Sequence, residues 1–211
     1  MAVATQVPNG LMLINGEWSR SARGETFEDI NPATREKLAD VARGREEDID
    51  RAVEAARRAF EGAWGAVSPA QRGRIMLRLA ALIREHKEEL ATLESLDVGQ
   101  PISAARAGVE LAARYWEFYG GVADKIMGST IPAAPGYLVY TLREPLGVCG
   151  FIIPWNGPLV VSSRDMAPAV AAGNTCVLKP AEEAPLTPLR LAELALEAGL
   201  PPGVINVVPG Y

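Results

Sequence analysis

Three short apolar runs, Gly147–Pro154, Thr175–Lys179 and Val204–Val208, alternate with two stretches of helical character, and this alternation restricts the fold more than any other feature of the chain. Gly147–Pro154 is continuously apolar, the pattern of a strand buried on both faces. A helix is expected over about 158–172, closed by Gly173-Asn174; Pro168 inside it should kink or shorten it. Thr187-Pro188 opens a second helix that runs to Glu197, with Gly199 past its end. The order β-α-β-α-β is half of a doubly wound α/β sheet, whose ligands sit at the carboxyl ends of the strands. Pro154-Trp155-Asn156 and Lys179-Pro180-Ala181-Glu182 end two successive strands there, so a polar ligand bound across two strand tips is expected.

The residues before this unit are of another kind. Leu11–Trp18 reads as a hairpin, with Asn15-Gly16 supplying the two positive-φ positions of a type I′ turn. Asn31-Pro32 marks a further turn, and Leu38–Val41 suits a short strand. Ile49, Val53, Ala56 and Phe60 recur at helical spacing over about 45–60. Ser68-Pro69-Ala70-Gln71 combines a capping residue, a proline for the first helical position and the glutamine of a capping box. The helix it opens carries Ile75, Leu79, Leu82, Ile83, Leu90 and Leu93 on one face and should end before Gly99 and Pro101. Another helix, about 102–120, bears Leu111, Tyr115 and Trp116. Residues 121–136 read as a loop or irregular strand, and Tyr137–Arg143 as a strand.

Composition removes several function classes. A formal net charge of −5 without a dense Lys/Arg cluster argues against a nucleic-acid partner. Met1–Gly10 lacks the basic region and apolar core of a signal peptide, and no apolar run approaches the ~18 residues of a membrane span. Two cysteines, Cys149 and Cys176, make a disulfide framework unexpected and fit a cytoplasmic location. No group of Cys, His or carboxylates has metal-ligand spacing, so no metal is expected. Both cysteines fall inside apolar strands and read as small hydrophobes. The single histidine, His86, lies in the charged helical run Arg84–Glu89, so a Cys–His nucleophile pair is not expected.

Two chemistries remain open at each strand tip. Asn156 can donate its side-chain amide to a developing oxyanion, or it can cap the helix that follows; the residues alone favour capping, and the roles are compatible. Lys179 and Glu182, three apart, can together bind the vicinal hydroxyls of a ribose, or they can form a solvated surface pair, the plainer reading of the spacing. The Gly-x-Gly-x-x-Gly pyrophosphate turn is absent. Gly147-Val-Cys-Gly150 has the wrong spacing and precedes the strand tip.

Taken jointly and in order, these motifs resemble a known family. Glu144-Pro-Leu-Gly-Val-Cys-Gly-Phe-Ile-Ile-Pro-Trp-Asn156 is similar to the segment entering the cofactor domain of NAD(P)-dependent aldehyde dehydrogenases. Ala172-Gly-Asn-Thr-Cys-Val-Leu-Lys-Pro-Ala-Glu182 and Gly199-Leu-Pro-Pro-Gly-Val-Ile-Asn-Val-Val-Pro-Gly210 resemble its continuation. Leu13–Trp18, Asn31-Pro32 and Asp97-Val-Gly-Gln-Pro101 resemble the family's N-terminal part. The resemblance implies that Asn156 stabilises the tetrahedral oxyanion, that Ile152, Ile153, Pro154 and Trp155 line the cofactor site, and that Lys179 and Glu182 hold the adenosine ribose. Glu182 then points to NAD rather than NADP, since an acid there repels a 2′-phosphate. It further implies a helical part over 1–120, an oligomerisation hairpin over 121–146, and the first β-α-β-α-β of a Rossmann-like NAD-binding sheet over 147–211, incomplete at its C-terminus. A homo-oligomer, dimer or tetramer, and an aldehyde substrate are the expected partners of the complete enzyme.

Family members are more than twice this length. The nucleophilic cysteine, the glutamate base and the second glycine motif find no counterpart in the 211 residues. Cys149 matches a family position that is not the nucleophile. The chain is therefore identified as the N-terminal portion of an aldehyde dehydrogenase, inactive alone. The alternatives are a non-catalytic nucleotide-binding or assembly module, or one half of a split enzyme.

Overall fold

The structure, a computed structural model, describes residues 10–211; the reading of Met1–Gly10 as lacking a leader falls almost wholly outside the described residues. A hairpin of β1 (Met12–Ile14) and β2 (Glu17–Ser19) is followed by an antiparallel pair, β3 (Thr26–Ile30) and β4 (Lys37–Ala42). Four helices come next: α1 (Glu46–Glu61), α2 (Pro69–Glu85), α3 (Lys87–Val98) and α4 (Ile102–Val122). A small exposed hairpin, β5 (Thr130–Ile131) with β6 (Val139–Tyr140), leads into β7 (Val148–Ile152), α5 (Pro158–Ala171), β8 (Thr175–Lys179), α6 (Leu186–Glu197) and β9 (Ile205–Val207). The expected strand over Tyr137–Arg143 is thus reduced to two residues.

The fold is α/β, as the alternation requires. β7, β8 and β9 are parallel, and β1 joins β9 antiparallel through Leu13 and Val207, giving a mixed sheet in the order β2-β1-β9-β8-β7. Asn15 and Gly16 take φ of 56° and 76°, the two positive values foreseen for the turn. Asn206 secures that turn to the sheet: its side-chain oxygen accepts from Asn15 N–H at 2.9 Å, while its amide donates to the carbonyls of Cys176 and Gly203. One expectation is corrected. β7 is not buried on both faces; it is the edge strand, and Ile152 is 84% exposed. An apolar run identifies a strand that needs two neighbours, and β8 supplies only one of them.

The helices bring three further corrections. The long helix expected from Ser68 is two, because His86 leaves helical geometry (φ −90°, ψ 22°) and closes α2 as it opens α3. Its N-terminus is as read: Ser68 and Gln71 form the capping box around Pro69. The buried face of α1 is Asp48, Ala52, Ala55, Ala56 and Ala59; of the expected stripe Ala56 is buried, Val53 packs against the core, Phe60 is half-buried and Ile49 is exposed. Close packing explains this: a Cβ on Gly203 would lie 2.7 Å from the Ala55 carbonyl and 3.1 Å from the Ala59 methyl, so only small side chains let α1 approach. Pro168 does not shorten α5, which ends at Ala171, one turn after it.

The main core lies between the sheet and α2, α4, α5 and α6, with Trp64, Trp116, Met76, Met166 and Leu178 fully buried. α1 covers the opposite face. Asn174 ties β7 to the end of α5, accepting from Gly147 N–H at 3.0 Å and donating to the Ala169 carbonyl at 3.1 Å. Trp64 donates its indole N–H to the Asn174 carbonyl. The start of β7 is therefore fixed although its edge is bare.

Candidate active site

The parallel register places Ile152 opposite Lys179, and Ile153 N–H donates to the Lys179 carbonyl at 3.1 Å, so the two strand tips are side by side. Ile153 turns into the core at 3% exposure; Pro154, Trp155 and Asn156 then cross the top of the sheet and stay exposed. Gly157 is the N-cap of α5 and makes no side-chain cap bond, so Asn156 does not cap the helix. Its amide makes no hydrogen bond within the described residues and is free to donate.

On the neighbouring tip, the Lys179 ammonium donates to the Pro180 carbonyl at 3.1 Å and lies 3.7 Å from a Glu182 carboxylate oxygen. Both side chains are about one-quarter to one-third exposed, so the pair is neither buried nor fully solvated. Trp155 and Glu182 face each other across a hollow of about 580 Å³ that Pro32, Glu183, Ala184 and Tyr211 also line. Lys179 opens into a second hollow of about 490 Å³, together with Gly44, Val208, Pro209 and Gly210. Lys179 and Glu182 thus border separate hollows at the carboxyl end of the sheet, where ligands of such sheets bind, while Asn156 lines neither of the two.

Burial pushes both thiols up, Cys176 far more than half-buried Cys149. His86 interacts with Glu89 at 2.7 Å and with Arg190, not with a thiol. Among the described residues no group of three or more His, Cys, Asp or Glu is arranged to hold a metal ion.

Beneath the tips lies a group of acids of which the sequence reading named only Asp97, within the Asp97–Pro101 segment. α3 presents Glu94 and Asp97 to the core, and Asp29 of β3 faces Asp97; all three are almost fully buried. Thr187 Oγ donates to Glu94 Oε2 at 2.5 Å, and Leu186 N–H donates to Asp97 Oδ2 at 3.0 Å. Burial pushes the Glu94 carboxyl up to about 7, against the opposing hydrogen bonds from Thr187 and the Leu159 backbone. Asp29 and Asp97 are both raised, chiefly by burial. The signal was present: Leu90, Leu93, Glu94 and Asp97 share one helical face, so two acids sit where the pattern demands apolar residues.

The sequence profile of the aldehyde dehydrogenase family matches residues 18–211. The chain is 50% identical over 210 residues to aldehyde dehydrogenase family 2 member B4, mitochondrial, of Arabidopsis thaliana, covering 99% of this chain and 39% of that protein. It is 45% identical over 203 residues to aldehyde dehydrogenase, cytosolic 1, of Mus musculus, covering 95% and 40%. Among solved structures, the NAD+ complex of aldehyde dehydrogenase from Bacillus cereus superposes with a TM-score of 0.96 at 50% identity, covering 99% of this chain and 43% of that one. PnpE in complex with nicotinamide adenine dinucleotide superposes with a TM-score of 0.94 at 46% identity, covering 97% and 42%. The chain thus spans about two fifths of the length of these relatives.

Proposed function

The chain belongs to the aldehyde dehydrogenase family, and from that premise we propose that it is the N-terminal portion of an NAD-dependent enzyme oxidising an aldehyde to a carboxylic acid. The observation that carries this reading is the pairing of the two strand tips. One presents the free amide of Asn156, and the other the Lys179–Glu182 pair at 3.7 Å, across adjacent parallel strands.

The residues fit the cofactor. An ammonium and a carboxylate side by side suit the two hydroxyls of an adenosine ribose, and the Glu182 charge disfavours a 2′-phosphate, hence NAD over NADP. Ile152, Pro154 and Trp155 form the exposed apolar approach to the same edge, whereas Ile153, expected with them, turns its side chain into the core beneath. Bound NAD supplies the hydride acceptor. This chain's own part is electrostatic: the Asn156 amide donates to the carbonyl oxygen as that oxygen gains negative charge, an interaction stronger in the transition state than in the ground state. With both thiols raised by burial, the chain holds no activated nucleophile for the attack that creates this charge. The 211 residues are therefore inactive alone. The hairpin within 121–146, with Tyr137, Leu138 and Leu142 largely exposed, suits an oligomer contact of the complete enzyme, and two free thiols suit the cytoplasm.

The deciding experiment compares NAD reduction by the pure 211-residue protein with that by a chain extended by the remainder of a relative, with the same aldehydes. No turnover is expected from the first and turnover from the second. Turnover by the 211 residues themselves would sink the reading.

A further inference from the structure

α6 cannot cap itself. Its N-cap residue is Pro185, whose side chain offers no acceptor, and the first N–H groups of a helix have no partner within it. α3 supplies what is missing. Leu186, the first residue of α6, donates its N–H to Asp97 Oδ2 at 3.0 Å, and Thr187 Oγ donates to Glu94 Oε2 at 2.5 Å. Pro188, third in the helix, has no N–H to place. Asp97 is 1% exposed, and Leu186 and Thr187 are fully buried, so water does not compete for these bonds.

The backbone between β8 and that anchor is short. β8 ends at Lys179 and α6 begins at Leu186, which leaves residues 180–185 to join them. The strand end is held on both sides, by Ile153 N–H on the Lys179 carbonyl and by Val208 N–H on the Leu178 carbonyl. Within the span, Ala184 N–H donates to the Ala181 carbonyl at 3.3 Å and closes a turn whose central residues are Glu182 and Glu183. Pro180 and Pro185 remove further backbone freedom. A closed turn between two fixed points has little play, so the place of Glu182 relative to Lys179 depends on both points.

We infer that Asp97 is a positioning residue: it caps α6 from α3, fixes the far end of the 180–185 span, and so sets the Glu182 carboxylate beside the Lys179 ammonium. Glu94 is the second point of attachment and acts on the same helix through Thr187. Two neighbouring contacts, one to backbone and one to a side chain, hold the helix start against rotation as well as withdrawal. The inference rests on the reading of Lys179 and Glu182 as the ribose pair, but the first arm of its test does not.

Amide hydrogen exchange of the ¹⁵N-labelled 211-residue chain, without nucleotide or aldehyde, reads the cap. Asp97→Ala should speed exchange at Leu186 by about tenfold or more, the effect of losing a buried hydrogen bond, and should shift the amide resonances of Glu182 and Ala184. Asp97→Asn keeps an acceptor in the same place and should restore both. The amides of Val177 and Leu178 in β8 should exchange at the parent rate throughout. An acceleration shared equally by β8 marks general loosening rather than a cap; that result, an unchanged Leu186 or an unmoved Glu182 each overturns the inference. Should the alanine variant not fold, Thr187→Val removes the neighbouring hold while keeping the shape. It must then speed exchange at Leu186 and move Glu182, with Thr187→Ser restoring both, and a loop indifferent to it overturns the inference. In an extended chain that turns over aldehyde, Asp97→Ala should raise KM for NAD several-fold with kcat nearly unchanged, and Asp97→Asn should bring KM back. A fall in kcat at constant KM would overturn the positioning role. An inactive extended chain sinks the enzyme reading and leaves exchange to decide the cap, whereas failure of the cap leaves the enzyme reading standing.

Discussion

Ile152 and Lys179 are register partners at the ends of adjacent parallel strands, yet Ile152 is 84% exposed while the strand of Lys179 is flanked on both sides. The bare edge of β7 offers unpaired backbone donors and acceptors and no charged side chain, the condition under which strands recruit another chain. The 211-residue protein should therefore self-associate as its concentration rises. Ile152→Lys should weaken this association with a stability change within about 0.5 kcal/mol, as for other exposed positions. Light scattering across a dilution series checks it; an unchanged association profile would remove β7 as the contact.

Gly73 and Gly120 form the crossing of α2 and α4. A methyl group on Gly73 would meet the Gly120 carbonyl oxygen at 2.5 Å, and one on Gly120 would meet the Gly73 carbonyl oxygen at 3.1 Å. The two helices must move apart to admit a side chain. Gly73→Ala should then cost about 1–3 kcal/mol, the range for overpacking, despite the higher helix propensity of alanine. Gly121→Ala, with open space around it, is the control and should be neutral or stabilising. Urea unfolding of the three proteins decides; equal midpoints for the Gly73 and Gly121 variants would refute the close-crossing argument.

What the sequence disclosed was local or repeated, and what it concealed was long-range. Asn15-Gly16, the Ser68–Gln71 box and Thr175–Lys179 are specified by neighbouring residues, and they fold as read. That Leu13 pairs with Val207 depends on contact across almost the whole described chain, which no local pattern encodes. The edge position of β7 escaped because an apolar run records the neighbours a strand needs, not those it has. The alanine face of α1 escaped because larger residues dominated the periodicity, while the helix is held by what fits over Gly203. At the site, Asn156 and Lys179–Glu182 could be placed at strand tips from motif order. The acids beneath them left only a partial trace: Glu94 and Asp97 share the apolar face of α3, but their meeting with Asp29 and Thr187 depends on tertiary contacts that no local pattern encodes.

Those acids give the fold a pH dependence of definite sign. Asp29, Glu94 and Asp97 all bind their protons more tightly in the native state than free carboxyls do, because burial opposes charge; the charge of Asp29 adds to the effect on Asp97. Between the unfolded value near ~4 and the raised native one, the folded chain holds the more protons, so this stabilisation is complete below the unfolded value and is lost as pH rises. For Glu94, raised to about 7, the loss is about 3 kcal/mol at most, at roughly 1.4 kcal/mol per unit. Paired surface acids such as Glu25, Glu47 and Glu88, whose values are lowered by arginine partners, act in the opposite sense and only at acid pH. The urea midpoint should therefore fall between about pH 5 and about pH 8, and Glu94→Gln should flatten the fall. A midpoint that rises over this interval would show that the acids are solvated.

Asn156→Ala separates the two roles open to a residue at this strand tip. Loss of a capping side chain costs about 1 kcal/mol, but here Gly157 occupies the cap position and the Asn156 amide bonds to none of the described residues. Unfolding of the 211-residue variant should match the parent within about 0.5 kcal/mol. In an extended chain that turns over aldehyde, the same substitution should lower kcat by about 10²–10³-fold, the effect of removing one oxyanion donor. Asn156→Asp should be no better, since a carboxylate keeps the shape but cannot donate and repels the developing charge. A loss of stability with little loss of turnover would return Asn156 to a structural role. Unchanged stability with a collapsed kcat would tie the amide to the oxygen on which the reaction's charge develops.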